Sequence, residues 1–203
     1  MTQAAADCMR AALPDTAVYN VYGLTEASPR VSALPPGQFD GFPLSAGFPL
    51  RSVEMKIEGG ELLLRGKSIM KGYYNDKEQT HKALAGGWLH TGDAAETDEA
   101  GRITIKGRLD HMIIRAGMNI YPQEIENALK SDPGISDALA FGLREKPATQ
   151  ALVLHVVANG LSKAEVLRIC QERLPFYEIP DVLELVTELP RNASGKVIRP
   201  SEN

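Results

Sequence analysis

Residues 106–126, KGRLDHMIIRAGMNIYPQEIE, constrain the fold most tightly, because the hydrophobic pattern changes character across them. Gly107, Arg108, Leu109 and Asp110 end a run in which apolar and polar side chains alternate. His111 to Arg115 resume a short β-type run that stops at a turn carrying Gly117. Asn119, Ile120, Tyr121 and Pro122 then set up a helix start. Glu124 and Glu126 fall in its first turn, where the positive end of the helix dipole favours carboxylates. The stretch reads as a hinge between two kinds of structure.

Upstream, residues 4–13 are Ala-rich with Met9 and Leu13 on a weak apolar face, which predicts a short helix stopped by Pro14. Residues 17–22 are β-rich and run into Gly23-Leu24-Thr25-Glu26, a polar turn at a strand's carboxyl end, a common place for ligands in α/β sheets. Residues 35–49 are dense in proline and glycine and read as a long loop with no element hidden in it. Residues 53–57 and 61–65 alternate across Gly59-Gly60, the pattern of a hairpin. A brief helix is expected over 77–84, closed by Gly86-Gly87. Residues 88–93 lead into a second hairpin that turns at 99–101 and returns through Ile103 and Ile105.

Downstream, the order is a helix (122–131), two apolar strands (135–143 and 151–157), an amphipathic helix (162–174) and a strand (181–185). Ser162 and Glu165 form a capping box, and Val166, Leu167, Ile169, Cys170 and Leu174 supply the apolar face. This order predicts an α+β layer with helices on one side of a mostly antiparallel sheet. Residues 190–196, PRNASGK, make a polar loop.

With 203 residues the chain suffices for one or two domains with a core. A formal charge of −4 gives no broad basic field for nucleic acid. Cys8 and Cys170 lack metal-site and CxxC spacing and read as free thiols of a reducing compartment. No segment reaches the ~18 apolar residues of a membrane span, and the first twenty residues lack a signal-peptide core, so a soluble cytoplasmic protein is expected.

Four constellations have the side chains for chemistry. Tyr22 to Glu26, YGLTE, offer an aromatic face, a hydroxyl and a carboxylate that suit a base, a phosphate and Mg²⁺, and suit an ordinary strand-to-loop turn equally. Asp93 in WLHTGD can accept both hydroxyls of a ribose, or can simply occupy a tight turn. His90 has no second ligand or nucleophile at a useful spacing and is assigned no role. Arg108 and Asp110 form either a surface ion pair or a sugar or phosphate donor beside a swivel. Lys196, after Gly195, is either solvated or a mobile ammonium for a developing negative charge. Gly66-Lys67-Ser68 is not a phosphate loop, because Glu61 stands where the first glycine is required.

In this order, YGLTE, GKSIMKGYYND, GWLHTGD, GRLDHMIIRAGMNIYPQEIE and LPRNASGK closely resemble the acyl- and aryl-CoA synthetase branch of the adenylate-forming enzymes, from Tyr19 to Arg199. That resemblance implies an acid–thiol ligase using ATP, Mg²⁺ and coenzyme A. A carboxylic acid attacks the α-phosphate to give an acyl-adenylate and pyrophosphate, and a thiol then displaces AMP. It places Tyr22 with Gly23 against the adenine, Thr25 at the α-phosphate, Glu26 on Mg²⁺, and Asp93 and Arg108 on the ribose. Lys196 bridges substrate carboxylate and phosphate, Asp110 is the pivot of the smaller domain, and Gly117 admits the pantetheine arm in the thiol step. Residues 1–107 would then be the tail of a large domain with short, barrel-like strands. Residues 108–110 would be the hinge, and 111–203 a small mobile domain.

Family members are longer on the N-terminal side, where a Ser/Thr/Gly-rich loop binds the ATP phosphates, and no such loop occurs in this sequence. The resemblance therefore implies a fragment or a chain completed by a second polypeptide, with exposed apolar sheet edges. Two other functions fit the same motifs: a noncatalytic nucleotide-binding or partner module, and an adenylation domain that loads the pantetheine of a carrier protein.

Overall fold

Helix α1 (Gln3–Ala12) ends where Pro14 cannot supply a further backbone N–H. The computed structural model describes residues 3–146 and 149–200, which fall into two units, Gln3–Leu109 and the chain from Asp110 onward.

The first unit continues through β1 (Asn20–Tyr22), β2 (Ser32–Leu34), α2 (Pro36–Phe39) and β3 (Phe48–Pro49), whose strands form an antiparallel sheet in the order β1-β2-β3. A second antiparallel sheet, β4-β5-β6-β7, is built from β4 (Val53–Glu58), β5 (Glu61–Gly66), β6 (Leu89–Thr97) and β7 (Ile103–Arg108), with α3 (Lys77–Ala83) between its two hairpins. Gly59 and Gly60 both have positive φ, 59° and 85°, as the two-residue turn between β4 and β5 requires. Ile103 donates to Gly47 at 2.9 Å and accepts from Ala46 at 2.7 Å, a bridge that ties the two sheets together. Leu62, Leu64, Leu89 and Ile103 pack with Ala27 and Val31 as the core beneath them.

Two expectations need correction in this unit. Residues 35–49 are not one loop, because proline is as well suited to the first turn of a helix as to a coil. Pro36 opens α2, and Phe39, 1% exposed, packs with Ala6, Val18 and Leu34. The strand read over 17–22 begins only at Asn20, since its pairing with β2 ends at the Asn20–Leu34 contact. The expected apolar edge is present: β1 has β2 on one side only, and Tyr19, Val21, Phe42 and Leu44 are exposed beside it.

The second unit opens with the hairpin β8 (Ile113–Arg115) and β9 (Met118–Ile120), followed by α4 (Pro122–Leu129), β10 (Ile135–Lys146), β11 (Thr149–Ala158), α5 (Lys163–Arg173) and β12 (Val182–Leu185). Residues 119–120, read as a lead-in to a helix, are strand. The turn Ala116-Gly117, with φ of 50° and 80°, sends the chain straight back along β8. Strand β11 pairs antiparallel with β10 and parallel with β12. Alternate residues Leu152, Leu154 and Val156 of β11 lie against Ile125 and Leu129 of α4 and Val166, Ile169 and Cys170 of α5. The opposite face carries Leu139, Phe141 and Val153 under Leu189.

The capping box of α5 forms as its sequence predicts, with Ser162 and Glu165 bonded reciprocally. Both cysteines are free, and burial pushes the Cys170 thiol up to about 11. No helix among the described residues is long and apolar enough to cross a membrane.

A buried ion pair fixes the chain's last described turn. Glu126, 6% exposed, takes Arg199 through both carboxylate oxygens at 2.7 and 3.0 Å and also accepts from the Ala140 N–H at 3.0 Å. Arg199 in turn donates to the Ala140 carbonyl at 2.7 Å. Arg199→Ala leaves a buried carboxylate uncompensated, and the expected loss is about 3 kcal/mol in urea unfolding. Arg191→Ala, which removes a half-exposed partner of Asp137, costs less than about 1 kcal/mol.

Candidate nucleotide site

The turn after β1 is locked by a close backbone approach. A Cβ on Gly23 would lie 1.7 Å from the Pro29 carbonyl oxygen, so only glycine fits. Val31 donates to Tyr22 at 2.9 Å and closes the loop. Thr25 to Ala27 form a single 3₁₀ turn in which Ala27 is fully buried and Thr25 is exposed. Glu26 follows Thr25 and is held from two sides: Met70 donates to its carbonyl at 2.7 Å, and the Tyr73 hydroxyl to its carboxylate at 2.9 Å.

Across the cleft, β6 leaves its register with β5. Leu63 stands opposite His90 and Glu61 opposite Ala94, so Thr91, Gly92 and Asp93 bulge past the single residue Leu62. The buried Thr91 hydroxyl donates to Leu62 at 2.7 Å and accepts the Asp93 N–H at 3.0 Å. Gly92 adopts φ 70°, and a Cβ there would meet the Arg108 guanidinium at 2.8 Å. These constraints aim Asp93 into the cleft.

Asp93 is the centre of the polar cluster. Its Oδ2 accepts from the Tyr22 hydroxyl at 2.5 Å, and its Oδ1 lies 3.6 Å from Arg108, which donates to the Thr91 carbonyl at 2.8 Å. Burial, then the Asp93 carboxylate, push the Tyr22 phenol far above its ordinary value, so it remains a donor. Burial and Glu26 raise Tyr73 likewise. Each carboxylate oxygen has two acceptor sites, so Asp93 keeps capacity for further donors after Tyr22 is satisfied. The cleft, about 370 Å³, is lined by Leu24, Glu26, Tyr73, Thr91, Asp93 and Arg108 among others.

The first unit thus brings together Tyr22, Glu26, Asp93 and Arg108, with Thr25 beside Glu26. Tyr73, Thr91 and Glu61 were missed. They sit in or near the quoted motifs, but nothing local marks their bonds to Glu26, Asp93 and Gly92. Asp110, Gly117 and Lys196 belong to the second unit. Asp110 lies 3.8 Å from His111. Gly117 occupies a turn where its Cβ position is open, so its requirement is the positive φ. Lys196 sits on a hairpin fixed by its backbone. The Asn192 carboxamide accepts from the Ser194 and Lys196 N–H groups at 3.1 and 2.9 Å, and Arg191 donates to Gly195 at 2.7 Å.

Two family models match the chain: AMP-binding enzyme over residues 1–74 and AMP-binding enzyme C-terminal domain over residues 124–196. A 2-succinylbenzoate–CoA ligase of Bacillus mycoides is 35% identical over 95% of this chain. The chain belongs to the adenylate-forming AMP-binding enzymes. It spans 42% of the length of that ligase. The o-succinylbenzoate CoA synthetase of Bacillus subtilis superimposes with a TM-score of 0.87 at 32% identity, over 95% of this chain and 42% of that one. It has been solved with its acyl-adenylate intermediate and with ATP and a magnesium ion. The α+β architecture with mostly antiparallel sheets is that of the adenylate-forming enzymes.

Gly23→Ala is expected to cost about 2–3 kcal/mol in thermal unfolding, because the Pro29 backbone must move. Gly37→Ala, whose added methyl meets nothing within 4 Å in a helix, stays within about 0.5 kcal/mol of the parent.

Proposed function

We propose that the cleft of the first unit holds the adenylate of an AMP-forming ligase that joins a carboxylic acid to coenzyme A. The observation that carries this reading is the Asp93 carboxylate, aimed by a bulge, steadied by Tyr22 and Arg108, and still able to accept two donors. Vicinal ribose hydroxyls are such a pair.

The remaining roles rest on the likeness to the family. The Tyr22 ring, whose hydroxyl is bonded to Asp93 at the cleft, is assigned to the base, and the Thr25 hydroxyl on its exposed turn to the α-phosphate. Glu26 supplies one hard carboxylate oxygen. Among the described residues no group of three or more His, Cys, Asp or Glu is assembled for a metal. A single carboxylate fits magnesium, which takes its other oxygens from phosphates and water. When bound, the ion neutralises phosphate charge. Displacement at phosphorus needs positioning and charge neutralisation more than covalent help. Lys196 meets that need when its loop is brought to the cleft, with its ammonium between the attacking carboxylate and the α-phosphate.

The thiol step requires a different occupant. The carboxylate oxygen bonded to phosphorus leaves with AMP as the coenzyme A sulfur bonds the acyl carbon, so an ammonium placed for the first step is not needed in the second. The boundary between the units falls between Leu109 and Asp110, which supports Asp110 as the pivot, residues 108–110 as the hinge and 111–203 as the moving domain. Gly117, at the tip of the β8–β9 turn, then lies where the pantetheine arm passes.

The test separates the half-reactions with Lys196→Ala in a ligase completed by the N-terminal portion that its relatives carry, since this chain spans 42% of their length. Acid-dependent ATP–pyrophosphate exchange is expected to fall by about 100-fold or more. Thioester formation from preformed acyl-adenylate stays within about threefold. Equal loss of both half-reactions contradicts the alternation.

A further inference from the structure

The bulge that aims Asp93 poses a problem that the strand ladder does not solve. With Thr91, Gly92 and Asp93 opposite Leu62 alone, the N–H groups of Gly92 and Asp93 need partners from outside the ladder. Asp93 finds the Thr91 hydroxyl at 3.0 Å. Gly92 finds the Glu61 carboxylate, whose Oε1 accepts its N–H at 2.8 Å. The other oxygen, Oε2, lies 2.9 Å from Nδ1 of His90, the residue that begins the bulge. One carboxylate therefore grips β6 at two points, immediately before Asp93 and three residues before it.

Glu61 is well placed to hold this geometry. It is the first residue of β5, directly after the Gly59-Gly60 turn, and its side chain is 19% exposed. Ala95 donates to Gly60 at 3.1 Å, so the backbone beside Glu61 is tied to β6 beyond the bulge as well. An acceptor bearing full charge makes the stronger kind of hydrogen bond to a backbone N–H. Gly92 is also the residue whose φ of 70° and contact with Arg108 admit no side chain. Its peptide orientation sets the direction in which Asp93 leaves the strand.

We propose that Glu61 is a positioning residue for nucleotide recognition. By holding the Gly92 N–H and the His90 ring with its two carboxylate oxygens, it fixes the bulge that presents the Asp93 carboxylate to the ribose hydroxyls, acting through Gly92 although its side chain borders the cleft. The proposal rests on the reading of Asp93 as the ribose acceptor. It predicts that loss of Glu61 is felt as loss of discrimination for those hydroxyls rather than as general weakening of binding.

The experiment compares the affinities of the 203-residue chain for AMP and for 2′,3′-dideoxyadenosine 5′-monophosphate by titration calorimetry. The parent is expected to prefer AMP by about tenfold or more. In Glu61→Ala that ratio falls to within about twofold of unity, with affinity for the dideoxy compound unchanged. Glu61→Gln, whose amide oxygen can still accept from Gly92, retains most of the ratio. Glu61→Asp, a methylene too short to reach Gly92, loses it, and decides the matter where Glu61→Ala does not fold.

A parent that shows no preference for AMP overturns the ribose reading, and this inference with it. A parent that prefers AMP, with Glu61→Ala and Glu61→Asp keeping that preference, overturns the inference alone. Equal weakening for both nucleotides in the variants also overturns it, since that is the signature of general damage to the cleft.

Discussion

The hydrogen bond from Tyr22 to Asp93 is the interaction on which the first unit's site depends. It joins the end of β1 to the bulge of β6, 71 residues later, and Arg108 of β7 closes on the same carboxylate. A carboxylate with so little exposure needs donors on its flanks, and a charge-assisted bond of this kind contributes about 1.5–3 kcal/mol. Three strands from two sheets are thereby held in one register around one side chain. The glycines at 23 and 92 are the backbone's answer to that crowding, since each admits a neighbour where a Cβ would clash.

The second unit uses a buried pair for a different end. Glu126 on α4 and Arg199 beyond the last hairpin clasp across the Ala140 backbone, so the segment carrying Lys196 is anchored on one side by a desolvated ion pair. On the other side Arg191 pairs with Asp137 and donates to Gly195. Between these anchors the Asn192 carboxamide organises the turn, leaving a long, solvated ammonium on a rigid base. That is the arrangement a residue needs if it is to be carried as part of a moving body and still arrive in a defined place.

What could be read from the sequence is what is encoded locally. The Gly59-Gly60 hairpin, the Ser162–Glu165 capping box and the β-to-mixed change after Arg108 all depend on neighbours within a few residues. Helix α2 was lost because proline marks both helix starts and coils, and β9 because a two-residue turn left no room for the expected lead-in. At the site, Asp93 and Arg108 stood out only through ordered motifs. The contacts that aim them did not: Tyr22 stood out for the base and not for its bond to Asp93, and Thr91 and Glu61 act through contacts set by the sheet registers. Glu61 appeared in the sequence only as the residue that ruled out a phosphate loop.

The most direct test of this account is a double-mutant cycle of Tyr22→Phe and Asp93→Asn, read as the dissociation constant for AMP. If Asp93 is the acceptor that Tyr22 steadies, each single substitution weakens AMP, and the double variant binds no worse than Asp93→Asn alone, a coupling of about 1–2 kcal/mol. Strictly additive losses, or an Asp93→Asn protein that binds AMP as tightly as the parent, would contradict it.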